Sequence, residues 1–116
     1  MNDYPKRGDI YLVNLNPKKG SEQGDERPAV VISNDVGNQY GNVVIIAPIT
    51  SKKLKKIYPF EVYLEKGEAN LNSDSKVMLD QIRTVDKKQR LKKRLGSLSS
   101  QKMKQVDAAI RVSLNV

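Results

Sequence analysis

Hydrophobic and polar positions divide this chain into short segments of two different periods. From Gly8, the run Asp9-Ile10-Tyr11-Leu12-Val13-Asn14-Leu15-Asn16-Pro17 is rich in β-branched and aromatic residues and stops at a turn signal, so it predicts a first strand. The continuous apolar run from Ala29 to Ser33 predicts a second strand, buried on both faces. Asn34-Asp35 and Gly37 to Asn42 carry turn chemistry and predict a hairpin connection. Val43 to Thr50 follows as a third strand. Pro48 within it has no ladder donor, which places that end at an edge or a bulge. Phe60-Glu61-Val62-Tyr63-Leu64 alternates, with Phe60, Val62 and Leu64 on the core face. Ser75 to Leu79 and Gln81 to Val85 read as two short strands, or as one strand with a bulge.

The period changes in the last third. Asp86 to Gly96 opens on a cap and closes on a glycine, which predicts a short helix with only Leu91 and Leu95 at helical spacing. From Ser99 or Ser100 onward, Met103, Val106 and Ile110 recur as on one face of an amphipathic helix of three to four turns. There is no internal repeat, low-complexity tract or linker. The expected architecture is mainly β (α+β): a small antiparallel barrel of five to six strands with one C-terminal helix, a single domain over residues 1–116.

Composition narrows the function. Hydrophobic residues are 38% of the chain, with one Phe and no Trp, so the core is built from Val, Ile and Leu. Such a core is thin, and burial against a second copy would strengthen it. No apolar run approaches the roughly 18 residues of a membrane helix, and residues 1–7 lack a signal-type stretch. A cytoplasmic protein without a membrane partner is expected. His and Cys are both absent, which excludes the usual zinc sites, the usual triads and a His-pair ribonuclease site. No metal or other cofactor is expected. The net charge of +8 draws polyanions, and nucleic acid is the favoured partner.

The candidate chemistry gathers around Gly20-Ser21-Glu22-Gln23-Gly24-Asp25-Glu26-Arg27-Pro28. This glycine-bounded loop delivers one arginine where a strand begins, and the following proline holds Arg27 in extended geometry. Its guanidinium is expected to aim back towards the loop, either to meet a phosphate or to pair with Glu22, Asp25 or Glu26. Antiparallel pairing of the second and third strands brings Thr50 to the same end as Arg27. Glu22 is a candidate to orient an attacking hydroxyl or, by preference, to hold Arg27. Lys52, Lys53, Lys55 and Lys56 form a basic loop able to close over a polyanion, while residues 87–94 are the densest basic patch. Tyr58 and Phe60 are the nearby stacking residues, with Phe60 expected in the core.

At this point the residues carry a pattern. Arg7-Gly8-Asp9-Ile10-Tyr11, Gly20-Ser21-Glu22-Gln23 with Arg27-Pro28-Ala29-Val30-Val31-Ile32, and Ala47-Pro48-Ile49-Thr50-Ser51 resemble the MazF/PemK family of toxin endoribonucleases. Gln81-Ile82-Arg83-Thr84 with Asp86-Lys87, and the terminal helix, continue the match. The resemblance implies an SH3-like, CcdB/PemK-like barrel that forms a homodimer. It also implies metal-independent, sequence-specific cleavage of single-stranded RNA, mainly messenger RNA, and an acidic antitoxin as neutralising partner. The family's catalytic arginine and threonine correspond to Arg27 and Thr50. Ser21, Glu22, Gln23, Asp80 and Gln81 correspond to residues lining its RNA site, and Lys52 and Lys53 are added as RNA contacts. Two departures stand out. Asp25-Glu26 occupy positions where many relatives are small or apolar, and Asp80 stands where many carry Glu.

RNA cleavage without metal uses the substrate's own 2′-hydroxyl, leaving a 2′,3′-cyclic phosphate and a 5′-hydroxyl. Arg27 suits stabilisation of the phosphorane and is available as the general acid; Thr50 can donate to a non-bridging oxygen. Glu22, a perturbed Arg27 and water all stand as the base. Two other classes compete: a toxin of the same fold that poisons a topoisomerase without cutting, and a non-catalytic RNA-binding module.

Overall fold

A computed structural model describes residues 3–116. Met1 and Asn2, the start of the segment read as lacking a signal stretch, lie outside the described residues. The strands are β1 (Asp9–Asn14), β2 (Glu26–Val31), β3 (Val43–Thr50), β4 (Glu61–Leu64), β5 (Ser75–Met78), β6 (Arg83–Asp86) and β7 (Leu91–Ser97). The helices are α1 (Asp35–Tyr40), α2 (Lys87–Arg90) and α3 (Ser100–Leu114). All pairings are antiparallel, in the order β4-β5-β3-β2-β1-β7, with β6 also on β3. The mainly β fold with a C-terminal helix is as expected, but its end strands β4 and β7 do not pair, so hydrogen bonds leave the barrel open.

The uninterrupted apolar run of β2 has the burial it predicts. Ala29, Val30 and Val31 are all fully buried, and they serve two cores. Val30 joins Ile10, Ile49, Leu64, Val77 and Val106 under α3. Ala29 and Val31 join Val13, Leu15, Val44, Ile46 and Val85 on the opposite face. Strand period 2 is what splits neighbours between two faces. In α3, Val106 and Ala109 are buried, and Met103 and Ile110 pack against the first core, as their spacing requires. Ser99 caps it by accepting from the Lys102 amide. Tyr11, packed against the second core, has its phenol held above its usual pKa by burial and then by the Asp9 carboxylate.

Two expectations change and a third narrows. The presumed hairpin turn holds the six-residue helix α1, whose N-cap Asn34 accepts from the Gly37 amide at 2.7 Å. The helix expected from Asp86 to Gly96 lasts a single turn. Asp86 does cap it, accepting from the Lys88 and Gln89 amides, but Leu91–Ser97 then leaves as a strand on the free edge of β1. Available backbone hydrogen bonds on that edge outweigh a modest helical preference. Of the two positions expected for Pro48, the edge is excluded and the bulge remains: it lies within central β3, opposite Ala29.

The far side of β3 explains how Pro48 is tolerated. There β6 pairs with Val43–Ile46 and β5 with Ile49–Thr50, leaving Ala47 and Pro48 unpaired on that side. From Val43 to Ile49 is six steps, yet the facing chain takes nine, from Asp86 to Val77. The surplus bulges out as Leu79-Asp80-Gln81-Ile82. A missing donor thus coincides with a looped-out segment.

Candidate nucleic-acid interface

The register of β2 on β3 decides where Arg27 and Thr50 stand. Ala29 faces Pro48, Val30 faces Ala47 and Val31 faces Ile46; continued two residues further, the same register sets Arg27 against Thr50. Both residues line the same cleft of about 560 Å³. Around them stand Ser21, Glu22, Gln23, Lys52, Lys53 and Gln81, so eight of the nine residues singled out in sequence meet there. Asp80 does not. It is exposed and lines the adjoining cleft of about 580 Å³, which shares Glu22, Gln23 and Gln81 with the first.

Arg27 is held by neutral groups. Its Nε donates to the Gly24 carbonyl at 3.0 Å. With the Gln23 amide turned oxygen-inward, that oxygen accepts from Arg27 Nη2 at 2.8 Å, and from Nε and Nη1 at 3.1 Å. The expected clamp by Glu22, Asp25 or Glu26 is absent: among the described residues, Arg27 makes no ion pair. The guanidinium therefore has no carboxylate at ion-pair distance among the described residues. Gly24 permits this arrangement because a Cβ there would lie 2.4 Å from Lys18 Cβ. Asp25 adopts φ +63°, the left-handed region that glycine favours, and its amide donates to Asn16 Oδ1 at 2.8 Å. The loop is also tied across the cleft, where the Gln23 backbone N–H donates to Gln81 Oε1 at 3.4 Å.

Thr50 is buried, and its Oγ1 accepts from the Lys52 amide at 3.1 Å. That bond uses a lone pair and leaves the hydroxyl proton free to donate. Lys52 and Lys53 are exposed, and their ammonium groups have no protein partner among the described residues. The cleft thus presents the Arg27 guanidinium, the Thr50 and Ser21 hydroxyls and the ammonium groups of Lys18, Lys52 and Lys53, beside the carboxylates of Glu22 and Asp25 and the buried Lys76–Glu61 pair. The cationic and hydroxyl groups can donate hydrogen bonds to phosphate oxygens.

Sequence reading missed the floor of this cleft. Lys76 and Glu61 both line it, with side chains only 6% and 7% exposed, and they pair at 3.0 Å. Lys76 Nζ also donates to the carbonyls of Lys53 at 2.9 Å and Lys56 at 3.3 Å. The signal was available: a lysine inside Ser75–Met78, where every position is buried, needs a partner. Its partner sits on the neighbouring strand, diagonal in a register that sets Tyr63 against Lys76 and Glu61 against Met78. Among the described residues, no cluster of three His, Cys, Asp or Glu could hold a metal ion, and no helix is long and apolar enough to cross a membrane.

Comparison with known proteins bears on the family and the fold. The family described as PemK-like, MazF-like toxin of type II toxin–antitoxin system matches residues 6–114. An endoribonuclease MazF of Staphylococcus saprophyticus is 50% identical over 111 residues, covering 96% of this chain and 92% of that protein. The crystal structure of MazF from Deinococcus radiodurans superposes with a TM-score of 0.84 at 29% identity, covering 98% of this chain and 99% of that one. A MazE–MazF crystal structure from the same organism gives 0.77 at 30% identity, with the same coverage of both chains.

Proposed function

The chain belongs to the PemK-like, MazF-like toxins of type II toxin–antitoxin systems, and on that premise we propose that it cuts single-stranded RNA with Arg27 and Thr50 as its catalytic pair. It is a toxin endoribonuclease, as its 50% identity to the staphylococcal enzyme over nearly the whole chain supports. The observation that carries the site assignment is Arg27, in no ion pair among the described residues, across one strand pair from a hydroxyl with a proton to donate.

The substrate's 2′-hydroxyl attacks the adjacent phosphorus and expels the 5′-oxygen, so one proton leaves the attacking oxygen and one reaches the departing oxygen. Arg27 donates to the phosphorane oxygens through its fixed fork, supplies the charge that offsets the developing dianion, and acts as the general acid that gives the departing 5′-oxygen its proton. Thr50 Oγ1 donates to a non-bridging oxygen. Glu22 lines the cleft, is exposed and makes no ion pair among the described residues, so it is the carboxylate we assign as base. Lys52 and Lys53 hold the backbone of the RNA, and Ser21, Gln23 and Gln81 offer donors and acceptors to its bases. Asp80 contacts the strand further along, in the adjoining cleft.

The partners follow from the same reading. A basic chain of net charge +8 suits an acidic antitoxin segment laid over the cleft, and the Deinococcus relative crystallises as a MazE–MazF assembly. A homodimer is supported by Val36, Tyr40, Val43 and Ile45, which α1 and the outer face of β3 leave 71%, 78%, 48% and 37% exposed. We assign the protein to the cytoplasm, where its messenger RNA substrate is, and treat residues 1–116 as one toxin domain. Incubation with a long unstructured RNA in EDTA tests the function. Discrete cuts with cyclic-phosphate ends are expected, and Arg27→Ala should slow them by about 10²–10³-fold with an unchanged melting temperature. A fully active or an unfolded Arg27→Ala protein would overturn the assignment. Intact RNA from the folded wild-type chain would favour the topoisomerase-poison reading.

A further inference from the structure

The loop after Thr50 ends in an aromatic pair that neither core uses. Tyr58 and Phe60 stack with ring centroids 5.4 Å apart and planes 6° from parallel, and Tyr58 is 43% exposed. Phe60, expected in the core, is only half-buried and belongs to neither core cluster. A protein with one Phe and a thin aliphatic core has placed that Phe under an exposed tyrosine instead. The 5.4 Å separation of nearly parallel rings is an offset stack, which leaves part of the Tyr58 ring uncovered. The other contact on this ring is Lys56 Nζ, 4.8 Å from the centroid. That ammonium is on an exposed side chain, and a contact of this kind is weak at an exposed site.

The pair is also held in place from beneath. Glu61 Oε1 accepts from the Tyr58 amide at 3.0 Å and from Lys76 Nζ at 3.0 Å. Lys76 fixes the other side of the loop through the Lys53 and Lys56 carbonyls. One buried ion pair on the cleft floor therefore sets the course of residues 53–58 before any ligand arrives. The conformational entropy of ordering this loop is lost on folding and not on binding.

We propose that the Tyr58–Phe60 stack is a nucleobase platform, on which an unpaired base flanking the scissile phosphate stacks while Lys56 turns to a backbone phosphate. The proposal rests on the nuclease reading, since it gives the same RNA strand a second anchor beyond Arg27 and Thr50. Stacking of this kind is tolerant of base identity, because every base has a π-face. The platform therefore adds affinity and fixes the strand's path without choosing the cut sequence.

The test uses an RNA oligomer spanning a mapped cleavage site, fluorescein-labelled, with the attacking 2′-hydroxyl replaced by hydrogen. Tyr58→Ala should weaken binding by roughly tenfold or more and leave the slope of log affinity against log salt unchanged. Tyr58→Trp should restore or exceed wild-type affinity, which a merely structural ring would not do. Lys56→Ala should lower the salt slope instead. Tyr58→Ala binding within twofold of the wild type, or Tyr58→Trp binding no better than Tyr58→Ala, would overturn the platform while wild-type cleavage still upholds the nuclease. A wild-type chain that neither binds nor cuts RNA would overturn both, and cleavage of unmodified RNA by the wild type distinguishes the two failures.

Discussion

Residues 52–56 carry four lysines, and residues 87–94 carry four lysines and two arginines, yet the fold uses these two basic segments in opposite ways. In the first, Lys52, Lys53 and Lys55 are exposed with no side-chain partner among the described residues, and the loop is held by its carbonyls. In the second, the cations themselves do the holding. Lys87 Nζ donates to the Asn38 carbonyl at 2.7 Å, Arg90 Nη1 donates to the carbonyls of Asn14 and Asn16, and Arg94 pairs with Asp9 at 3.4 Å. Only Lys88, Lys92 and Lys93 are left free there among the described residues. Charge density therefore does not locate a binding surface. A cation already bound to protein carbonyls has little left to offer a phosphate, whereas one whose backbone is fixed and whose head is wet has all of it.

The largest effect on this contrast comes from its hidden support. Glu61→Ala leaves Lys76 buried without its counter-charge, and unfolding in urea should show a loss of about 3–5 kcal/mol. A loss below about 1 kcal/mol would mean that the two bonds of Lys76 to the Lys53 and Lys56 carbonyls suffice alone. Next in size, Lys87→Met should destabilise the chain by about 1–2 kcal/mol, by orphaning the Asn38 carbonyl, while RNA cleavage by the folded protein stays at the wild-type rate. A slower cut at full stability would move the second segment into the RNA site. The smallest stability change belongs to the exposed lysines. The double variant Lys52→Ala/Lys53→Ala should stay within about 0.5 kcal/mol of the wild type. Its salt slope for single-stranded RNA should fall by about 1.4. The matched pair Lys92→Ala/Lys93→Ala should change neither quantity, and an equal fall in slope there would erase the distinction between the two segments.

Much of the site was legible because it is built from near neighbours. Arg27 is placed by the proline after it and by the Gly24 carbonyl three residues before it. Thr50 follows from counting along one antiparallel strand pair, and the count survives even though α1 replaces the expected turn, since a longer connection leaves the register of β2 on β3 unchanged. The partner assigned to Arg27 was wrong for a local reason. Glu22, Asp25 and Glu26 are close in sequence, but the left-handed turn at Asp25 and the close approach of Gly24 to Lys18 bring a carbonyl and an amide to the guanidinium instead.

The sequence by itself determined the apolar strands, the doubly buried β2, the face of α3 and the loop that carries Arg27, because these depend on period and on backbone restrictions a few residues wide. Tertiary structure alone decided the rest. Whether Leu91–Ser97 is helix or strand depended on β1 having an open edge some 80 residues earlier. The roles of Lys76, Arg90 and Phe60 depended on which carbonyls, carboxylates and rings arrive beside them: Arg90 bonds across 76 residues to Asn14, and Lys76 across 15 to Glu61. Local pattern sets which groups need a partner; only the folded chain brings that partner within reach.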